Sequence, residues 1–313
     1  MKFRKYQSEI IDKAFDVLVK YGFVYLSMQV RTGKTLTAMG TAQKLGVDNM
    51  LFVTKKKAIS SIEDDYKLLS PKFHLTVINY ESLHKVAGKY ECIVLDEAHG
   101  MGAYPKPSKR TKMIKQIIKK QNPFVILMSG TPTPESFSQM YHQVYACPHN
   151  PFRNYTNFYK FAKDYVNVVQ IRIGAMPHNN YSSGKQSILD QMKPYMISYT
   201  QKEAGFKVET IEKVLKVKMS DLTYSMVKQL KKNLVIEGKD EVVLADTSVK
   251  LMMKLHQLFS GTVKFESGKA TVIDLSKAEF IRTQFKNQKI GIFYKFKAEY
   301  DALKEVYGDD LTV

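Results

Sequence analysis

The chain has no tryptophan and only two cysteines in 313 residues. Cys92 lies in an apolar run and Cys147 stands before a proline, without CxxC spacing. This excludes a disulfide framework and a cysteine-rich zinc site, and it fits a reducing cytosol. No run reaches the ~20 apolar residues of a membrane helix. Met1–Gln7 leads into no apolar signal region, so a soluble, non-secreted protein with no membrane partner is expected. Acid is short relative to base: 30 Asp and Glu against 48 Lys and Arg leave +18. Such a surplus concentrates polyanions around the chain. Nucleic acid is the leading partner, because phosphate contacts supply most non-specific affinity. There is no repeat or low-complexity tract, and the length suits about two domains.

Five short apolar runs read as strands: Phe23–Met28, Met50–Thr54, Leu75–Tyr80, Cys92–Asp96 and Phe124–Ser129. They are apolar throughout, as strands covered on both faces are. Helical spacing lies between them, at Leu36–Leu45 closed by Gly46 and at Lys109–Lys120 with Met113, Ile114, Ile117 and Ile118 on one face. Repeated βα units imply a parallel sheet whose ligands sit at the carboxyl ends of the strands. Residues 1–140 therefore read as one α/β domain. Residues 141–204, broken by prolines and glycines, read as a connector with helices and a mobile loop at Pro177–Gly184. Residues 205–313 read as a second, incomplete α/β lobe. Its expected strands are Val214–Met219 and Ile290–Tyr294, and its helices Asp221–Lys232, Val249–Phe259 and Lys297–Val306. Val263–Phe265 and Ala270–Ile273 form a hairpin, and Ser276–Glu279 is a capping box opening a further helix.

Three motifs carry chemistry. Arg31-Thr32-Gly33-Lys34-Thr35 follows a predicted strand and opens a predicted helix, the setting of a phosphate-binding loop. There, backbone N–H groups and the helix N-terminus attract phosphate. Gly33 allows close approach, Lys34 reaches the β and γ phosphates of ATP, and the Thr35 hydroxyl binds Mg²⁺. The general pattern asks for glycine where this chain has Met28. Next, Ile93–His99 is an apolar strand ending in two acids: Asp96 to hold the metal, Glu97 to polarise the attacking water. Last, Ser129-Gly130-Thr131-Pro132 follows a strand and offers small hydroxyls to the acids and to a neighbouring domain.

In this order the three motifs resemble motifs I, II and III of superfamily 2 helicases. Tyr6-Gln7 resembles the family's adenine-reading motif, Thr54-Lys55 motif Ia and Asn79-Tyr80-Glu81 motif Ib. Tyr-Glu in that place and Ser-Gly-Thr-Pro look most like the Swi/Snf-type branch, including small bacterial and phage members. His256–Gly261 and Gly291–Tyr294 are similar to the start of that branch's second motor domain. The resemblance implies two RecA-like lobes and an ATPase with ATP and Mg²⁺ as cofactors. It implies base contact by Tyr6 and Gln7, coupling through His99, Ser129, Gly130 and Thr131, and DNA contact by Thr54, Lys55, Asn79 and Tyr80. It favours translocation on double-stranded DNA in a bacterial or phage-infected cytoplasm. The family's later Gln-x-x-Arg-x-x-Arg motif is not found, and Arg282 is the last arginine. A missing C-terminal half or a partner subunit is therefore expected. An ATP-gated DNA-binding module with little turnover, or the motor half of a restriction or repair complex, are the rival readings.

Lys55-Lys56-Lys57 fits phosphate contact beside motif Ia. Lys106, Lys109, Arg110, Lys112, Lys115, Lys119 and Lys120 fit a solvated helix face before a nucleic-acid track. The tyrosines from Tyr155 to Tyr165 fit core packing better than base stacking. His142, His149 and His178 are expected at the surface, and Cys92 in the core.

Overall fold

A computed structural model describes residues 2–173, 176–206, 211–238 and 241–312. It divides into two units, Met1–Glu209 and Thr210–Val313. In chain order the first holds α1 (Lys5–Tyr21), β1 (Phe23–Met28), α2 (Lys34–Leu45), β2 (Asn49–Thr54), α3 (Ile59–Leu69), β3 (His74–Asn79), β4 (Cys92–Leu95), α4 (Lys109–Gln121), β5 (Phe124–Met128), α5 (Gln139–Val144), α6 (Phe158–Tyr165), β6 (Val169–Ile173), β7 (Met176–Asn180), α7 (Ser187–Met192) and β8 (Met196–Tyr199).

Six strands form one sheet in the order β3-β2-β4-β5-β1-β8, with every adjacent pair parallel. Successive side chains point to opposite faces. Phe23, Tyr25, Leu51, Val53, Ile93, Leu95, Val125 and Leu127 enter one core, which α4 to α7 cover. Val24, Leu26, Met28, Met50, Phe52, Cys92, Val94, Ile126 and Met128 enter the other, beneath α1, α2 and α3. Covering both faces is why these strands are apolar without alternation.

The expected connector, residues 141–204, belongs to the first unit. It supplies three covering helices, and its β8 pairs with β1 at the sheet edge. In the tyrosine-rich stretch Tyr155 and Tyr165 are half-buried and Tyr159 is exposed: Phe161 stacks on Tyr165 at 5.0 Å, and the Tyr155 hydroxyl donates to Asp164 at 2.7 Å. Pro177–Gly184 is not simply a loop, because Met176–Asn180 pairs with Val169–Ile173. His142 is buried, against expectation. Its Nε2 lies 3.0 Å from the Pro105 carbonyl, and its ring stacks on Phe158. Burial pushes its pKa down. His149 and His178 are exposed, and Cys92 is in the core. Among the described residues no helix is long and apolar enough to cross a membrane.

The second unit holds α8 (Asp221–Asn233), β9 (Val235–Glu237), β10 (Val242–Leu244), α9 (Ser248–Phe259), β11 (Thr262–Lys264), β12 (Ala270–Val272), α10 (Ser276–Gln284) and α11 (Lys297–Tyr307). β11 and β12 make the expected hairpin. The expected strands Val214–Met219 and Ile290–Tyr294 are not strands. β-Branched and aromatic residues suit a sheet, but a strand also needs a neighbour for its N–H and C=O groups. Val214 and Phe293 are instead largely exposed.

A polar knot organises this unit. Asp274 Oδ2 accepts from Ser220 N at 2.8 Å and Thr223 Oγ1 at 2.6 Å, and its Oδ1 accepts from Ser276 N at 2.9 Å. The start of α10 is thus held by Asp274, rather than by the expected capping box. Gly261 has φ +77°, and a Cβ there would collide with the Asp274 carbonyl. Burial opposes the Asp274 charge, but the hydrogen bonds from Ser276, Thr223 and Ser220 outweigh it and hold the carboxyl well below its ordinary 3.8.

A depressed carboxylate pKa stabilises the fold above the unfolded value and stops doing so as pH falls through the folded one. Acidifying from pH 5 to below 3.8 should therefore weaken this unit. Asp274→Asn should be less stable at pH 5 and show a flatter acid response. Urea midpoints across that range test this; identical slopes in the two proteins would contradict it.

Candidate functional site

β1 and β4 flank β5 in the sheet, so the loops leaving the carboxyl ends of all three strands meet at one edge. The loop after β1 carries Lys34, that after β4 carries Asp96 and Glu97, and that after β5 carries Ser129.

The first of these loops is tightly wound. Arg31 has φ 64° and Gly33 φ 78°, both in the left-handed region that non-glycine residues rarely occupy. Gly33 is the N-cap of α2, and a side chain there would collide with Gln7 Nε2. Lys34 and Thr35 are the first two residues of the helix, which aims free backbone N–H groups outward. Lys34 Nζ donates to the Gln29 carbonyl at 3.3 Å, as does Thr32 Oγ1 at 2.6 Å. Burial lowers the Lys34 pKa, and the charges of Asp96 and Glu97 counter that shift.

Asp96 is pinned from two sides. Its Oδ2 accepts from Thr54 Oγ1 at 2.7 Å, and its carbonyl accepts from the Tyr80 hydroxyl at 2.6 Å. Burial raises its pKa and Glu97 adds to the shift, while the Thr54 hydrogen bond and Lys34 pull it back. Burial also raises the Tyr80 pKa far above its ordinary value, which keeps the phenol a donor. Glu97 occupies the left-handed region at φ 50°, as strained residues at functional sites do. His99 Nδ1 lies 3.2 Å from Glu97 Oε2 and 2.9 Å from Ser129 Oγ, which also accepts from Thr131 N at 3.1 Å. A continuous polar chain thus runs from Glu97 into the Ser129-Gly130-Thr131 turn.

The residues expected to read a base sit beside the loop. Gln7 Nε2 donates to the Gly33 carbonyl at 3.4 Å, and its Oε1 accepts from Arg4 N at 3.0 Å. Tyr6 donates to the Thr32 carbonyl at 3.1 Å and stacks on Tyr199 at 4.7 Å. The four residues expected to touch DNA separate into two kinds. Thr54 and Tyr80 are buried, and their hydroxyls donate to Asp96, at Oδ2 and at its carbonyl. Asn79 accepts from Ser82 N at 3.0 Å, and Lys55 is exposed with Nζ 4.0 Å from Glu97 Oε1. Lys56 and Lys57 are exposed beside it, as are Lys106, Lys109, Arg110, Lys112, Lys119 and Lys120 on and before α4. Sequence reasoning missed Gln29, Tyr199 and Gln201, which brace the first loop. No local signal marks them, because β8 reaches β1 only through the fold.

The model of the SNF2-related domain matches residues 30–263. Similar solved structures include the Sulfolobus solfataricus SWI2/SNF2 ATPase core in complex with dsDNA, at 15% identity and a TM-score of 0.51, covering 98% of this chain and 70% of that one. The Sulfolobus solfataricus SWI2/SNF2 ATPase core domain gives 15% identity, a TM-score of 0.50 and coverage of 99% and 69%. This likeness is one of fold, α/β and RecA-like. No curated protein matches the chain.

Tyr80→Phe removes the donor to a carbonyl in the sheet edge and should cost about 1–2 kcal/mol. Urea denaturation reads this directly; an unchanged midpoint would show that the Asp96 backbone does not depend on the phenol.

Proposed function

Because the chain belongs to the SNF2-related domain family, we propose that it is an ATP-driven motor that translocates on double-stranded DNA. The observation that carries this reading is the meeting of three strand ends. One brings the Lys34 ammonium, the next the Asp96 and Glu97 carboxylates that act on it electrostatically, and the third the Ser129 turn linked to Glu97 through His99.

The residues fit a magnesium triphosphate. The loop offers a turn whose φ of +78° at position 33 favours glycine, a cation at Lys34 and a hydroxyl at Thr35. A metal ion held there would supply positive charge against the phosphates. Thr35 and Asp96 would hold the ion, with Thr54 fixing the carboxylate. Arg31, Thr32, Gly33 and Lys34 would hold the phosphates. Tyr6 and Gln7 would meet the base, after the Tyr6 ring or the Gln7 amide gives up part of its present contacts. Glu97 would orient a water for in-line attack and accept its proton, at an oxygen His99 already holds in place. The same His99 would report the state of Glu97 to the Ser129, Gly130 and Thr131 turn.

Duplex DNA is the favoured partner, on the charge of +18 and the exposed lysines 55, 56 and 57 at the same sheet edge. The dsDNA held by the Sulfolobus core supports that choice.

Lys34→Ala should weaken nucleotide binding by about 30-fold or more. Glu97→Gln should keep nucleotide binding while phosphate release falls roughly 100-fold or more. Phosphate release with and without duplex DNA, beside nucleotide titration, tests both. DNA binding that answers to a non-hydrolysable ATP analogue, with no phosphate formed by the parent, would select a nucleotide-gated binding module over a motor.

Replacing Lys55, Lys56 and Lys57 together by alanine should weaken duplex binding and reduce the salt slope by about one per lost contact. An unchanged slope would move the DNA track elsewhere.

A further inference from the structure

A phosphate-binding loop works only if its peptide groups point the right way. Outward amides attract an anion, whereas an outward carbonyl repels it. Here four loop carbonyls are turned back onto protein donors. For three of them the donors come from the loop itself or from α1 and α2. Gln29 O accepts from Thr32 Oγ1 and Lys34 Nζ. Thr32 O accepts from Tyr6, and Gly33 O from Gln7 and Thr37 Oγ1.

The Val30 carbonyl is the exception. It accepts from Gln201 Nε2 at 3.0 Å, across a sequence separation of 171 residues. The Gln201 backbone N–H also donates to Gln29 Oε1 at 2.8 Å, and Gln29 N donates to the Tyr199 carbonyl at 2.9 Å. Three hydrogen bonds thus join the end of β8 to the first residues of the loop.

The brace is itself braced. Thr200 N and Oγ1 both donate to Glu203 Oε2 at 2.7 Å, and the Tyr199 hydroxyl donates to the Glu203 carbonyl at 3.0 Å. The Tyr199 ring stacks on Tyr6. The peptide that Gln201 restrains runs directly into Arg31, whose left-handed backbone is unfavourable outside glycine and persists only where its surroundings enforce it.

We propose that Gln201 is a positioning residue for the nucleotide phosphates: its side-chain amide keeps the Val30 carbonyl out of the phosphate cradle. This rests on the nucleotide-binding reading above. Without that donor the Val30–Arg31 peptide is free to rotate and turn an oxygen toward the phosphates. Gln201 touches no reacting atom in this scheme. It acts through the loop, and it makes the segment after β8 part of the nucleotide site.

The test uses the full chain with Gln201→Ala and Gln201→Glu. The glutamate keeps the side-chain length and the backbone N–H bond to Gln29 but cannot donate to Val30. Binding of a fluorescent ATP analogue gives Kd, steady-state hydrolysis gives KM and kcat, and a circular-dichroism melt gives Tm. Both variants should raise Kd and KM roughly fivefold, with kcat changed less than Kd and with Tm preserved. The glutamate should bind at least as weakly as the alanine. An unchanged Kd in both variants overturns the proposal, as does a fall in kcat alone. A rise in Kd matched by lost Tm in both variants would assign Gln201 to folding instead. A parent chain that binds no nucleotide would instead overturn the functional reading and this inference with it.

Discussion

Parallel strands buried on both faces leave only their ends free for polar chemistry. In this protein the sheet interior is closed by two apolar cores. All six strands of this sheet run the same way, so their carboxyl ends lie along one edge. Strand order then decides which loops become neighbours: with β5 between β4 and β1, the Lys34, Asp96 and Ser129 loops are adjacent, although they are far apart in sequence. The site follows from the topology, and the topology from two-sided burial with right-handed crossovers.

Placing charge at such an edge has an electrostatic cost that the surroundings only partly offset. Burial pushes the Lys34 ammonium and the Asp96 carboxylate toward their neutral forms, and each supports the other's charge. The hydroxyls of Thr54 and Tyr80 fix Asp96. Such preorganisation is the usual means of stabilising charge that develops during phosphoryl transfer. Glu97 is held differently, by His99 and a strained backbone. Through His99 it is joined to the Ser129-Gly130-Thr131 turn.

Motif residues were readable in the sequence because each closes an apolar run with polar residues. Glycine, lysine and threonine after Phe23–Met28, and two acids after Cys92–Leu95, put charge and small polar groups where a buried strand surfaces. The five strands were readable for the same reason, and two helices, Lys34–Leu45 and Lys109–Gln121, from their apolar spacing, whereas Lys5–Tyr21 and Ile59–Leu69 were not. Long-range partners were not. Nothing local in Tyr80 or Thr54 says that its hydroxyl turns under Asp96. Met196–Tyr199 is too short and too mixed to announce a strand, and its place beside β1 is set by pairing alone. Val214–Met219 and Ile290–Tyr294 failed in the opposite sense: side-chain preference suggested strands, but pairing decides. His142 was misjudged because its polar ring is buried on aromatic neighbours that only the fold assembles.

The two units are held together internally by different means. The first has two large apolar cores, whereas the second has small clusters and a carboxylate knot in which one side chain restrains Ser220, Thr223 and the start of α10. A core spreads its stabilisation over many contacts and tolerates a local change. A knot concentrates it in a few hydrogen bonds whose loss leaves buried polar groups unpaired. The second unit should therefore open locally before the first does. All the residues assembled into the site above belong to the first unit. The proposed nucleotide site therefore lies in the unit with the two large apolar cores.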